Sequence, residues 1–113
     1  MKINIIGRKI TVTDKIKDYA EKKLTKLDKF FKEEPEARIV IGSIKDNEYV
    51  EASIFASGMI YRAEVIDVDV ITAMDKIVDV IERQIRKNKT RLEKKLKRDA
   101  VNDNVMISGD DYT

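Results

Sequence analysis

The sequence predicts an α+β two-layer sandwich of order β-α-β-β-β-α, with a four-stranded mixed sheet and both helices on one face. Three observations carry the prediction. Four short stretches are β-branched or alternate with a period of two, as strands do. Two longer stretches repeat apolar residues at spacings of three and four and show only one apolar stripe each, so each helix needs a single surface to lie on. The last three strands are separated by tight turns, which makes them an antiparallel meander. The first two enclose a helix and so require a parallel crossover.

Ile3, Ile5 and Ile6 make a first strand from Lys2 to Gly7, ended by Gly7-Arg8-Lys9. Thr13 is a suitable N-cap with Asp14 in the first turn behind it. Ile16, Ala20, Leu24, Leu27 and Phe31 then form the stripe of a helix reaching Lys32, with Tyr19 and Phe30 flanking it as core residues. Glu33-Glu34-Pro35 ends this helix, because the residue before proline leaves the helical region. Ala37–Ile44 is β-branched, Lys45-Asp46-Asn47-Glu48 turns, and Tyr49–Ser57 alternates with Val50, Ala52, Ile54 and Ala56 on one side. Ser57-Gly58 turns into Met59–Ile66, where Tyr61, Ala63 and Val65 alternate with Arg62 and Glu64. The final helix is expected from Thr72 to Arg98, with Met74, Ile77, Val78, Ile81, Ile85, Leu92 and Leu96 in one apolar sector. At about 1.5 Å per residue it is roughly 40 Å long and should outrun the sheet. Residues 1–98 are thus one domain, and the polar, acidic stretch 99–113 reads as a disordered tail or the start of a linker.

The 113 residues include neither cysteine nor histidine, which excludes disulfides, zinc fingers, thiol nucleophiles, Ser-His-Asp catalysis and histidine switching. No apolar run approaches the ~20 residues that cross a bilayer, and Met1–Gly7 is too short for a signal-peptide core. The chain therefore reads as cytoplasmic.

Its overall charge of +2 conceals strong polarity. From Arg83 to Arg98 nine bases face the single Glu93, a net of +8, which leaves −6 for everything else. At about 100° per residue, Arg83, Arg86, Lys87, Arg91, Lys94, Lys97 and Arg98 fall within an arc of roughly 140° opposite the apolar sector. Acids preceding bases along a helix suit its macrodipole, but that effect fades within a turn and these bases run through more than four. Lysines stacked at i,i+3 and i,i+4 also repel one another, so helix stability alone does not choose the pattern. A face for a polyanion does. On the first helix Lys22, Lys23, Lys26 and Lys29 would extend the basic surface, although interleaved acids make that helix, taken alone, an ordinary solvated one.

No enzymatic constellation emerges. Asp67 and Asp69, near Glu64, are the tightest acidic cluster, yet no general base or phosphate-cradling glycine loop accompanies them, and a strand-to-helix corner uses aspartate as a cap. We therefore expect no metal, no cofactor and no small-molecule substrate. The layout is similar to a double-stranded-RNA-binding domain with one added strand, a module that reads shape and phosphates. Stacking aromatics for single strands are missing from the basic helix, which favours structured RNA. The alternative is a protein-interaction module whose basic helix pairs with an acidic partner.

Several segments carry a more specific likeness. Gly7-Arg-Lys-Ile-Thr-Val-Thr-Asp14, Lys22-Lys-Leu-Thr-Lys-Leu27, Arg62-Ala-Glu64, and Ala73-Met-Asp75 leading to Ile81-Glu-Arg-Gln-Ile-Arg-Lys-Asn-Lys89 resemble, in order and spacing, the ribosome hibernation-promoting factor family. That family is also known as ribosome-associated inhibitors or sigma-54 modulation proteins. The resemblance implies a non-enzymatic factor that binds small-subunit rRNA between head and body, in the channel used by mRNA and tRNA, and inhibits translation under stress or in stationary phase. It maps the family's rRNA-contacting bases to Arg83, Arg86, Lys87, Lys89 and Arg91, to which the charge pattern adds Lys94, Lys22, Lys23 and Lys26. Ile71 and Val80 depart from it, standing where the family often has tyrosine and lysine. Long members carry a second domain that pairs ribosomes. The chain resembles either a short form or the first domain of a long one, and is expected to be a monomer.

Overall fold

The computed structural model describes the backbone of residues 1–101 and the side chains of residues 1–89. The elements are β1 (Lys2–Arg8), α1 (Asp14–Leu24), a 3₁₀ helix η1 (Thr25–Phe30), β2 (Glu36–Ile44), β3 (Asn47–Ala56), β4 (Met59–Asp67) and α2 (Val70–Val101). One four-stranded sheet has the order β1-β2-β3-β4, with β1 parallel to β2 and the other pairs antiparallel. This is the expected mixed sheet and α+β sandwich.

The alternation sorts as expected. Ala37, Ile39, Ile41, Val50, Ala52, Ile54 and Tyr61 are buried under the helices, together with Ala20, Leu24 and Leu27 of the first helical segment. From α2 they meet Val70, Ala73, Met74, Ile77, Val78, Ile81 and Ile85, completing one core. The expected core positions Leu92 and Leu96 lie outside the residues whose side chains are described.

Both hairpin turns pass through left-handed backbone positions. Ser57 and Gly58 both have positive φ (52° and 77°), the twist that closes a two-residue hairpin without splaying its strands. Lys45, at φ 52°, opens the β2–β3 turn.

The first helix differs from expectation. A continuous α-helix to Lys32 gives way after Leu24 to a 3₁₀ segment, and Phe31 is already extended. In 3₁₀ geometry residues three apart eclipse, so Leu24, Leu27 and Phe30 line up toward the core. An α-helix would have chosen Phe31 instead. The tighter turn lets both rings pack against the core from the chain's descent into β2.

The corner before α2 is capped as the sequence suggested. The Asp69 carboxylate accepts from the Thr72 amide at 2.8 Å, and Glu48, reaching up from β3, accepts from the Val70 amide at 2.8 Å. The helix thus starts at Val70, earlier than the expected Thr72, and continues to Val101, past the expected end at Arg98. The rest of the expected tail lies outside the described residues. No helix among the described residues is long and apolar enough to cross a membrane.

Candidate nucleic-acid interface

The two helices lie side by side and run in the same direction, because β1, β2 and β4 are parallel and each helix returns from the end of a parallel strand. Their seam is polar at its start and aromatic further along. The Tyr19 hydroxyl donates to Asp75 at 2.7 Å, and the Lys23 ammonium pairs with the same carboxylate at 3.3 Å. The Tyr19 hydrogen bond, with support from Lys23 and Lys26, holds the Asp75 carboxyl below the usual carboxylate range, and Asp75 in turn raises Lys23 above the usual lysine value. Further along, the Arg86 guanidinium lies 5.1 Å from the Phe30 ring centroid and the Lys29 ammonium 5.3 Å from the same ring. Lys89 sits 5.7 Å from the centroid of Phe31. A quadrupole of this kind attracts a cation without neutralising it, so the rings hold these positive heads over the seam.

Arg86 also pairs with Glu82 one turn earlier, at 3.0 Å. Arg83 and Lys87 project from the opposite side of α2 from its core stripe and are exposed, as are Lys22 and Lys26 on the first helical segment. Among the described residues neither Arg83 nor Lys87 has an ion-pair or hydrogen-bond partner. The result is a ridge of Arg83, Arg86 and Lys87, continued across the aromatic seam by Lys89, Lys29 and Lys26. Arg91 and Lys94 lie outside the residues whose side chains are described.

Sequence reasoning missed two features of this surface. Lys23 is tied to Asp75 and helps to fasten the helices together. The aromatics absent from the basic helix are supplied by η1 and the residue after it, a doublet flanked by Lys29 and Lys32 that gave the only local signal. The acidic cluster behaves as a corner. Asp67 pairs with Lys76 and accepts from the Val68 amide, which lowers its pKa, while Asp69 is lowered chiefly by the Thr72 amide it caps. Among the described residues no group of acids is arranged to hold a metal ion.

The edge of α2 toward β4 is fixed by amides: Gln84 donates to the Arg62 carbonyl at 2.8 Å and Asn88 to the Tyr61 hydroxyl at 2.9 Å. These contacts tie the edge of α2 to β4, while the buried stripe of Ile77, Ile81 and Ile85 sets the rotation of the helix and with it the direction in which the bases point.

A mixed sheet backed by two parallel helices, with exposed bases on the outer face of the second, defines a class of small α+β modules. The chain belongs to the sigma 54 modulation protein / S30EA ribosomal protein family, whose model matches residues 3–93. It is 39% identical over 90 residues to the ribosome hibernation promotion factor of Deinococcus radiodurans, covering 75% of this chain and 47% of that protein. It is 31% identical over 91 residues to the ribosome hibernation promoting factor of Azotobacter vinelandii, covering 80% of this chain and 85% of that one. The crystal structure of the Protein Y N-terminal domain from Thermus thermophilus superposes with a TM-score of 0.73 at 35% identity, covering 77% of this chain and 98% of that domain. The chain thus spans about half the length of the Deinococcus relative and most of the Azotobacter one.

Proposed function

We propose that this protein is a ribosome hibernation factor, a non-enzymatic module that binds rRNA of the small subunit in the mRNA and tRNA channel and so inhibits translation under stress. The observation that carries the reading is the ridge of Arg83, Arg86 and Lys87, aimed away from the core by a helix whose opposite face is buried against the sheet from Val70 to Ile85. Bases fixed on one face of a rigid helix present positive charge to a phosphate backbone and gain affinity by releasing its counterions. Family membership and the names of the relatives support the ribosome as the source of that backbone. The rival reading, a protein-interaction helix, gains nothing from the core residues: Ile77, Ile81 and Ile85 are fully buried against the protein's own sheet and offer no seam to a second helix.

The chain acts as a cytoplasmic monomer in this reading. Sedimentation with purified small and large subunits through a sucrose cushion tests it. Stoichiometric, salt-sensitive pelleting with the small subunit, and inhibition of translation in a purified system, are expected. Equal pelleting with both subunits, or none with either, would overturn it.

A further inference from the structure

Where the ridge meets the end of the sheet, a cleft of ≈ 300 Å³ opens between η1, the β3–β4 hairpin and α2. Its exposed lining is mostly apolar, from Phe30, Phe31, Met59 and Tyr61, with Asn88 and Lys89 as the polar wall on α2 and Lys32, Glu33 and Ser57 at the opposite rim. Phe31 and Tyr61 meet at 6.1 Å with their planes tilted by 49°, so the two rings form a corner rather than a stack. The Asn88 amide is anchored at 2.9 Å to the Tyr61 hydroxyl, which fixes the direction of a group able both to donate and to accept.

We propose that this cleft receives one unpaired nucleobase of the bound RNA, an inference that rests on the RNA-binding reading above. Three features commit the cleft to that occupant. It is continuous with the phosphate-binding ridge, since Lys89 belongs to both, lining the cleft and lying over the Phe31 ring. Its apolar walls and single amide provide what an unstacked base needs, a surface for its face and a partner for its edge. The charge on the α2 side suits a polyanion: Lys32 and Lys89 line the cleft against Glu33, while Glu34 and Glu36 line the neighbouring hollow by the β3–β4 hairpin, away from the ridge. A base inserted here leaves its own phosphate beside Lys89 and the flanking phosphates along Arg86 and Lys87. The surface therefore reads a nucleotide that is already extruded from a helix, and adds local selectivity to a contact that otherwise reads backbone charge.

The test is a dimethyl sulfate footprint of small-subunit RNA, with the full chain and two variants, each at a concentration that saturates its binding. Ala56→Leu puts methyl groups into the cleft, and Asn88→Ala removes the edge partner while sparing the ridge. The wild-type protein is expected to protect the Watson–Crick edge of at least one unpaired adenine or cytosine, and both variants to reopen it while still pelleting with the subunit, roughly tenfold more weakly. A protection pattern identical in all three proteins would overturn the cleft assignment and leave the ridge intact. Failure of the wild-type chain to pellet with the subunit would instead overturn the RNA-binding reading, and this inference with it.

Discussion

The Tyr19 hydroxyl, on the first helical segment, donates to the Asp75 carboxylate on α2 at 2.7 Å, and the Lys23 ammonium completes the bridge. This bridge is a polar clasp between the two helices, and it has a definite pH signature. Asp75 is held below the ordinary carboxylate range, mainly by Tyr19. A carboxylate with a depressed folded pKa contributes stability above its unfolded value, about 3.9, and loses it as pH falls through the lower folded value. Urea midpoints of the wild-type protein should therefore fall below about pH 4. Asp75→Asn should be less stable at neutral pH and show a shallower acid slope, not a flat one, because Asp67 and Asp69 are depressed too. Parallel acid curves for the two proteins would show that the clasp is unformed in solution.

Ile81 sits at the centre of the α2 stripe with no exposed surface. Truncation to alanine removes three carbons from a site flanked by the sheet and by neighbouring turns of the same helix, so little collapse is available to fill the space. Ile81→Ala should cost about 2–5 kcal/mol by chemical denaturation. A loss within about 0.5 kcal/mol, typical of surface sites, would mean that α2 does not pack as described.

Two glycines should fail for different reasons. A Cβ on Gly7 would collide with the Ile10 carbonyl oxygen and crowd the Val12 Cγ2 methyl at 3.1 Å, and the backbone oxygen has little room to yield. A Cβ on Gly58 would meet nothing, but the residue's φ of +77° strains any side chain. Gly7→Ala should cost about 1–3 kcal/mol through overpacking, and Gly58→Ala about 1 kcal/mol through backbone strain alone. Asparagine, which tolerates the left-handed region, should restore part of the loss at residue 58 and none at residue 7. Equal responses at the two positions in denaturant titrations would contradict this division.

The order of elements, the mixed sheet and the buried stripe of α2 were legible because each rests on a local period, two for strands and near 3.6 for helices, that survives without knowledge of neighbours. The 3₁₀ segment was not. An α stripe and a 3₁₀ stripe share Leu24 and Leu27 and differ only in whether Phe31 or Phe30 comes next, and two adjacent phenylalanines satisfy both. The basic ridge was legible for the same reason as the core, since charge on one helix is also periodic. What sequence order concealed was pairing between elements. Lys23 has the same local pattern as Lys22 and Lys26, and only the packing of the two helices brings Asp75 to it. The cleft had no local pattern at all, being assembled from three separate segments.

That difference among the lysines and arginines yields a last prediction. A cation grips a phosphate at full strength when its charge is not already matched. Arg83 and Lys87 are exposed and unpaired among the described residues, whereas the Lys23 ammonium sits 3.3 Å from Asp75. In salt titrations of binding to the small subunit, Arg83→Ala and Lys87→Ala should each flatten the slope of log affinity against log salt by about one unit. Lys23→Ala should flatten it much less, because what it removes is half of an ion pair. It should instead lower the melting temperature, by taking one member from the clasp, while Arg83→Ala and Lys87→Ala leave melting unchanged. If Lys23→Ala matched the other two in slope, its bridge to Asp75 would have to open on binding. If Arg83→Ala and Lys87→Ala together left the slope unchanged with circular dichroism intact, the ridge would not be the surface that meets RNA.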